Sequence, residues 1–377
     1  MPSVINTNIP SLNTQRNLGT SQSALNTAIQ RLSSGLRVNS AKDDAAGLAI
    51  AERMSSQVRG LNVAARNAND GVSLAQTAEG ALGKIGEMVQ RVRELAVQSS
   101  NATNSKEDRA ALQAEVKELK AEIARVADTA NFNGTKLLDG SFTSARFQVG
   151  ADAGQHITVD QITDARLGSL GGTMFAELPI DASTLTDVDP VDAGVLMING
   201  TDIVLTAAKS PTERKAQLVE AINAADLTPA VEASYDANTN EIILTSREDI
   251  EVAGSAPARV GLTAATTPAA EVFVEDLDIG RYHHAQLAIQ QADAALGSIN
   301  GARAELGAVQ SRFESAVANI LIASENASAA RSRIMDADFA AETAAMTRAQ
   351  ILQQAGNAML AQANQLPQQV LTLLRNG

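Results

Sequence analysis

The chain has 377 residues, with 45% hydrophobic but only 2% aromatic residues and a formal net charge of −13 at pH 7. The length predicts two or three domains, and the acidic balance argues against nucleic-acid binding, which needs clustered Lys and Arg. Because Cys is absent, disulfides and thiolate metal sites are excluded.

Both ends of the chain share a composition that the middle lacks. Neither residues 1–42 nor residues 343–377 contain an acidic side chain. In the first of these segments Leu18, Leu25 and Leu32 lie seven residues apart. Ile29 and Leu36 fill the alternate four-residue step. This spacing predicts an amphipathic helix with one narrow apolar seam.

A second, longer helix is predicted from Asp44 to about Ser99, with a length of roughly 80 Å. Its glycines each cost on the order of 1 kcal/mol relative to Ala, so tertiary packing must stabilise it. We interpret the glycines within residues 80–84 as packing residues, because that segment is too short for a Walker A loop. After a polar break, Leu112 to Val126 predict an antiparallel third helix.

The pattern then changes to short alternating runs and turn residues. Residues 146–149 and 155–159 predict a β-hairpin. In the middle, Asn199-Gly200 separates two alternating runs and predicts another hairpin. Residues 210–213 have the pattern of a capping box with Pro at the first helical position. With a further hairpin over residues 231–245, the middle is predicted to hold a small ββαββ unit.

Helical periodicity resumes near His284 and continues to the C-terminus. A first apolar heptad column consists of Ile299, Leu306, Phe313 and Ile320. A second consists of Leu352, Met359, Leu366 and Leu373. The predicted fold class is therefore mainly α with β. Both termini form a long antiparallel helical bundle or coiled coil, accompanied by a β-hairpin and a small α+β outer domain.

Motifs for catalysis and cofactors are missing from the sequence. It has no H-E-x-x-H, no G-x-S-x-G and no Walker A motif. The chain has three histidines, His156, His283 and His284. Adjacent residues on a helix point about 100° apart. We therefore interpret His283 and His284 as a solvated helix start and expect no metal, no cofactor and no enzymatic activity.

One acidic segment imitates the opening of a calcium-binding loop. Residues 236–240 supply oxygen ligands, but positions six and twelve of the loop would be Glu241 and Arg247. A calcium loop of this type requires Gly and Glu there. We interpret the segment as a hairpin turn.

Membrane insertion and a cleaved signal are also not expected. The longest apolar stretch, Ala45 to Ala51, is shorter than the roughly 20 residues that a membrane helix needs. Residues 1–17 lack the basic and apolar regions of a secretory signal peptide. Any export would proceed without signal cleavage.

Two stretches resemble one protein family. Residues 32–50, LSSGLRVNSAKDDAAGLAI, closely resemble the signature of bacterial flagellins, and residues 364–375, NQLPQQVLTLLR, resemble the flagellin C-terminus. Residues 196–245 resemble the hook IN motif, an insert of some flagellins and hook-associated proteins. The resemblance implies an extracellular subunit of the flagellar filament, which serves swimming motility and leaves the cell through the flagellar export channel.

The resemblance also implies a domain order. Residues 1–42 and 343–377 would form the inner layer, residues 43–168 and 280–342 the surrounding shell, and residues 169–279 a variable outer domain. Self-assembly would then use the seam residues of both ends: Leu18, Leu25, Ile29, Leu32, Leu36, Leu352, Met359, Leu366 and Leu373.

The partners implied by the family are copies of the chain itself, the filament cap, the hook-associated proteins, an export chaperone and host innate immune receptors. Residues 90–97, QRVRELAV, resemble the segment that the vertebrate Toll-like receptor for flagellin reads, which implies Arg91, Leu95 and Glu115 as contacts. Chaperone binding and cytosolic immune sensing are implied for the last helical turns: Val370, Leu371, Leu373, Leu374 and Arg375.

Three alternatives remain open at this point. A hook–filament junction protein is also helical at both ends, but the 41–50 signature and the receptor-type segment favour flagellin. A filament-displayed enzyme would need the metalloprotease motif that is missing. A chemoreceptor-like signalling hairpin is disfavoured, because the chain lacks a membrane segment and carries the ββαββ insert.

Overall fold

Helices dominate the part of the chain that the structure describes. A computed structural model describes residues 7–237 and 239–375, with side chains up to residue 365. The helices are α1 (Ile9–Ser34), α2 (Ala45–Ser99), α3 (Lys106–Thr129), α4 (Pro211–Ala224), α5 (Tyr282–Met335) and α6 (Phe339–Arg375). They confirm the predicted fold class, mainly α with small antiparallel sheets in the middle.

The end of α1 shows why the polar stretch near residue 35 breaks the helix. Gly35 adopts the left-handed conformation, with φ of 72°, and its N–H donates to the Arg31 carbonyl at 2.8 Å. Such a glycine cap is a common helix terminator. Where α5 gives way to α6, the Arg37 N–H donates to the Met335 carbonyl at 2.7 Å. The Ala337 N–H donates to the Gly35 carbonyl at 2.9 Å.

Short strands occupy the region between α3 and α5. They are β1 (Asn131–Phe132), β2 (Thr135–Lys136), β3 (Ala145–Gln148), β4 (His156–Val159), β5 (Thr173–Asp181), β6 (Met197–Ile198), β7 (Thr201–Asp202), β8 (Val231–Asp236), β9 (Glu241–Ser246), β10 (Ile250–Ala253), β11 (Ala265–Thr267) and β12 (Ala270–Val272). The β3–β4 sheet confirms the hairpin predicted over residues 146–159.

The middle region differs from the predicted ββαββ unit. The β6–β7 and β8–β9 hairpins exist, but they belong to different four-stranded sheets, ordered β11-β10-β6-β7 and β12-β5-β9-β8. The predicted order of two strands, a helix and two strands is present, but these elements do not form one closed unit, because β10 pairs with β6 and β5 pairs with β9 and β12. Local alternation does not reveal such pairing.

The two predicted hairpins are confirmed. Asn199 and Gly200 have φ of 46° and 77°, as the turn between β6 and β7 requires. The register of β8 and β9 pairs Asp236 with Glu241, as expected for the predicted hairpin.

The helix cap at Ser210 forms only in part. Its hydroxyl accepts from the Glu213 N–H at 3.2 Å, as a capping box requires. The Glu213 carboxylate, however, accepts from the Lys209 N–H at 2.7 Å and not from Ser210. The shared core of the middle region includes α4 residues Leu218 and Ile222 and strand residues of both sheets.

The chain divides into two compact units. The first comprises residues 1–68, 148–156 and 315–377, and the second comprises residues 69–147 and 157–314. In the first unit, Ala64 and Ala65 of α2 form a core cluster with Ile320 of α5, against which Leu61 and Val149 pack. In the second, the predicted column residues Ile299, Leu306 and Phe313 of α5 are buried, as are α2 residues such as Leu82 and Ile85.

The glycines of α2 do not share one role. An added Cβ would lie 2.5 Å from the Phe313 ring at Gly71, 3.0 Å from the Ala151 Cβ at Gly60 and 3.6 Å from Ile299 at Gly86. At Gly80 and Gly83 an added Cβ meets nothing within 4 Å. The interpretation of Gly80 and Gly83 as packing residues was therefore wrong, because both face open space.

Candidate functional site

The two ends of the chain meet in the pairing of α1 with α6. Arg31 Nη1 of α1 lies 2.8 Å from Glu342 Oε1 of α6. Near the other end of α1, the Ser11 hydroxyl donates to the Asn364 side chain at 2.9 Å. Segments separated by more than 300 residues in sequence therefore form one antiparallel helical pair.

Small residues, rather than large ones, provide much of the α1–α6 contact. The buried apolar residues of these helices include Ala28 of α1 with Ala349 and Ala363 of α6. A Cβ added to Gly356 of α6 would lie 3.2 Å from Leu18. Small side chains allow two helices to approach closely. Heptad spacing of large apolar residues could not reveal this contact, because several of its buried residues are alanines.

The predicted seam residues fall into two groups in the described chain. Leu25 is buried, and Leu18, Leu32 and Leu36 are half-buried. Ile29, Leu352 and Met359 are exposed, so these three residues do not pack within the chain, and the role of the seam in self-assembly stays a prediction. The side chains of Leu366 and Leu373 lie outside the described residues.

Of these exposed seam residues, Leu352 and Met359 lie on α6, which exposes other large apolar side chains as well. Phe339, Ile351, Leu352 and Met359 are each more than half exposed. Part of this surface is a shallow groove lined also by Thr343 and Thr347. Isolated exposed apolar residues are ordinary, whereas several large apolar side chains exposed along one helix indicate a candidate surface for another protein. We call these four residues the α6 apolar face.

The predicted receptor contacts are not all on the surface. Arg91 Nε lies 2.9 Å from Glu115 Oε1 of α3, and both side chains are about half exposed. Leu95 is only 1% exposed. The expectation that Leu95 offers a contact is therefore wrong for the described chain, because its position on the inner side of α2 places it in the core. The residues implied for chaperone and immune sensing, Val370, Leu371, Leu373, Leu374 and Arg375, have side chains outside the described residues.

The start of α5 is not solvated as expected. His283 is 4% exposed, and its Nε2 lies 3.3 Å from Glu177 Oε1. Nε2 of His284 lies 3.2 Å from Glu177 Oε2, and its Nδ1 lies 3.4 Å from Asp278 Oδ2. Although the two rings leave the helix in different directions, each meets a different oxygen of one carboxylate. The prediction of a solvated helix start was wrong because Glu177 belongs to β5. The geometry of α5 alone does not reveal that contact.

The charges around His284 determine its protonation. The carboxylates of Asp278 and Glu177 raise the pKa of His284 to about 9, despite partial burial. Both imidazoles, His283 first, hold the pKa of Glu177 well below its usual range. At neutral pH His284 is therefore an imidazolium between two carboxylates.

Comparisons with known proteins agree with this architecture. Residues 5–143 match the bacterial flagellin N-terminal helical region, and residues 289–374 match the bacterial flagellin C-terminal helical region. The chain is 38% identical to B-type flagellin of Pseudomonas aeruginosa and 41% identical to flagellin A of Vibrio anguillarum, in each case over 100% of both chains. A solved structure of FliC from Burkholderia pseudomallei is 27% identical, covering 64% of this chain and 99% of that one, with a TM-score of 0.39.

The matches to the flagellin helical regions define a structural protein and not an enzyme. The full-length matches are more specific: the chain belongs to the bacterial flagellin family. It is a subunit of the flagellar filament, an extracellular structural protein of bacterial motility. Among the described residues, no helix is long and apolar enough to cross a membrane.

Proposed function

We propose that the terminal helices carry self-assembly, with the α6 apolar face as a contact to neighbouring subunits. The observation that supports this is the exposure of Phe339, Ile351, Leu352 and Met359 on a helix that also packs against α1. Burying such side chains stabilises an interface by about 25 cal/mol per Å² of apolar surface. The absence of acidic residues from 343–377 spares a crowded contact from repulsion between carboxylates.

We further propose the layered division implied by the sequence. Residues 1–42 and 343–377 form the inner layer, residues 43–168 and 280–342 the shell, and residues 169–279 the outer domain. The cap and hook-associated proteins meet the same terminal helices at the filament ends, and the export chaperone binds the last turns of α6. This proposal rests on the family and on the pairing of α1 with α6.

Seeded growth tests the role of the C-terminal helix. We expect a chain lacking residues 352–377 to add no length to filament fragments of the full chain, because it loses most of α6. Electron microscopy of the seeds before and after incubation measures the growth. Growth of the truncated chain at the rate of the full chain would contradict the proposal.

We also propose that Arg91 and Glu115 form a surface read by the host flagellin receptor. Their ion pair joins α2 to α3 at the surface, and Glu94 lies 3.0 Å from Arg91 on the same side. An exposed ion pair adds little stability, so this strip is available for recognition without a large effect on the fold. The buried Leu95 supports the strip from inside.

Two substitutions distinguish a side chain that contacts the receptor from one that stabilises the fold. Arg91→Ala should weaken binding to the purified receptor ectodomain about tenfold or more, since Arg anchors often contribute over 1 kcal/mol. Leu95→Ala should lower the free energy of unfolding by about 2–5 kcal/mol, because it leaves a cavity. Arg93→Ala is the matched control, because Arg93 is equally exposed but pairs with Asp293 of α5. If Arg91→Ala binds like the parent chain, the proposed surface is incorrect.

A further inference from the structure

Two imidazoles and two carboxylates converge where α5 begins beside β5. Along β5, Ala176 and Ile180 belong to the core of the middle region. Because side chains alternate along a strand, Glu177 lies on the opposite face of the sheet. His283 and His284, from the first turn of α5, meet it there.

We propose that Glu177, His283 and His284 form a binding site for a divalent transition-metal ion, with Zn²⁺ as the best-fitting ion. The ligand atoms of these three residues all lie within 4.8 Å of one another. Tetrahedral Zn²⁺ has bonds of about 2.0–2.1 Å, which hold its ligand atoms about 3.3–3.4 Å apart. Nε2 of His283 lies 3.3 Å from Glu177 Oε1, and Nε2 of His284 lies 3.2 Å from Glu177 Oε2. Each nitrogen is therefore already at about this distance from one oxygen of the carboxylate.

The buried nitrogen of His283 supports a cation at this point. Within the described part of the chain, His283 Nε2 is buried and has no hydrogen-bond partner, although it faces Glu177 Oε1. A cation placed between this nitrogen and the carboxylate oxygen of Glu177 would attract both atoms. A metal ion would therefore satisfy an atom that the protein alone leaves without a partner.

Asp278 completes the arrangement as a positioning residue. A histidine that binds a metal usually donates its other ring N–H to a carboxylate, which fixes the orientation of the ring. Nδ1 of His284 lies at ion-pair distance, 3.4 Å, from Asp278 Oδ2 without a hydrogen bond between them, and Nε2 lies on the side of Glu177. Binding releases the proton that His284 Nε2 otherwise directs at Glu177.

The ligand set selects the class of ion. Imidazoles favour Zn²⁺, Cu²⁺ and Ni²⁺ over Ca²⁺ and Mg²⁺, which prefer oxygen ligands alone. Three protein ligands leave a fourth position of tetrahedral Zn²⁺ open to water. Such an ion would join the first turn of α5 directly to β5.

Metal titration of the full chain tests the site. After treatment with a chelator and its removal, calorimetric titration with Zn²⁺ should show one site per chain. Co²⁺ should give the intense visible absorption of tetrahedral coordination. Asp278→Asn should weaken Zn²⁺ binding about 10–100-fold, the usual effect of losing an orienting carboxylate. His283→Gln, which removes a ligand, should weaken binding at least as much.

The third histidine provides a matched control. His156 is exposed on β4 and is absent from the cluster, so His156→Gln should bind Zn²⁺ like the parent chain. Circular dichroism in the presence of chelator establishes whether each variant is folded. If His283→Gln is unfolded, the Asp278→Asn variant still tests the proposal. The proposal is overturned if the full chain binds no Zn²⁺, if both cluster variants bind it with parental affinity, or if His156→Gln abolishes binding.

Discussion

Ile351→Asp combined with Leu352→Asp should abolish seeded filament growth while the monomer keeps its helical content. Ile351 is 60% exposed and Leu352 51% exposed, so neither substitution disturbs the packing of α6 on α1. In a subunit contact, however, the two carboxylates would be desolvated without a partner, which costs several kcal/mol for each charge. Elongation of parental filament fragments, followed by electron microscopy or light scattering, measures the effect.

The control for this prediction places the same chemical change elsewhere. Val204 lies in the middle region and is 56% exposed, so Val204→Asp also exchanges an exposed apolar side chain for a carboxylate. It should leave elongation unchanged. Leu352→Met, which preserves the apolar character of the face, should also grow. Normal elongation by the Ile351→Asp, Leu352→Asp chain would show that this face is not a subunit contact.

The helices were predictable from sequence because their signal is local. Column residues such as Ile299 and Phe313 recur every seven positions, and this column marks the buried side of α5. The β6–β7 turn was equally local, since Asn199 and Gly200 specify their own conformation. The arrangement of the strands into two sheets depends on pairs such as β5 with β9, which no local pattern contains.

The candidate sites were less predictable, because their contacts join residues that are distant in sequence. A heptad pattern identifies Leu352 and Met359 as apolar, but it does not say whether they face α1 or lie exposed. The resemblance to flagellins placed Leu95 in a receptor-recognition segment. Its position around α2, however, buries its side chain in the core. The histidines looked unremarkable because Glu177 lies more than 100 residues away in sequence and approaches them only through the sheet.

Gly71→Ala should destabilise the chain although alanine is the better helix former. Gly71 of α2 faces the ring of Phe313 of α5, which is fully buried and lies edge-on to Phe147 at 5.4 Å between ring centroids. A Cβ would lie 2.5 Å from that ring. Overpacking costs about 1–3 kcal/mol, which exceeds the helix-propensity gain of about 1 kcal/mol. We expect a lower midpoint of denaturant unfolding, followed by far-ultraviolet circular dichroism.

Two further variants isolate the contact as the cause. Gly80→Ala changes the same residue type in the same helix, but its Cβ meets nothing within 4 Å, so it should stabilise the chain by about 0.5–1 kcal/mol. Phe313→Ala alone should destabilise by about 3–5 kcal/mol because it leaves a cavity. In that background Gly71→Ala should become neutral or stabilising, since the ring it meets is gone and the two substitutions are coupled. An unchanged penalty for Gly71→Ala without Phe313 would mean that close approach of the ring does not explain this glycine.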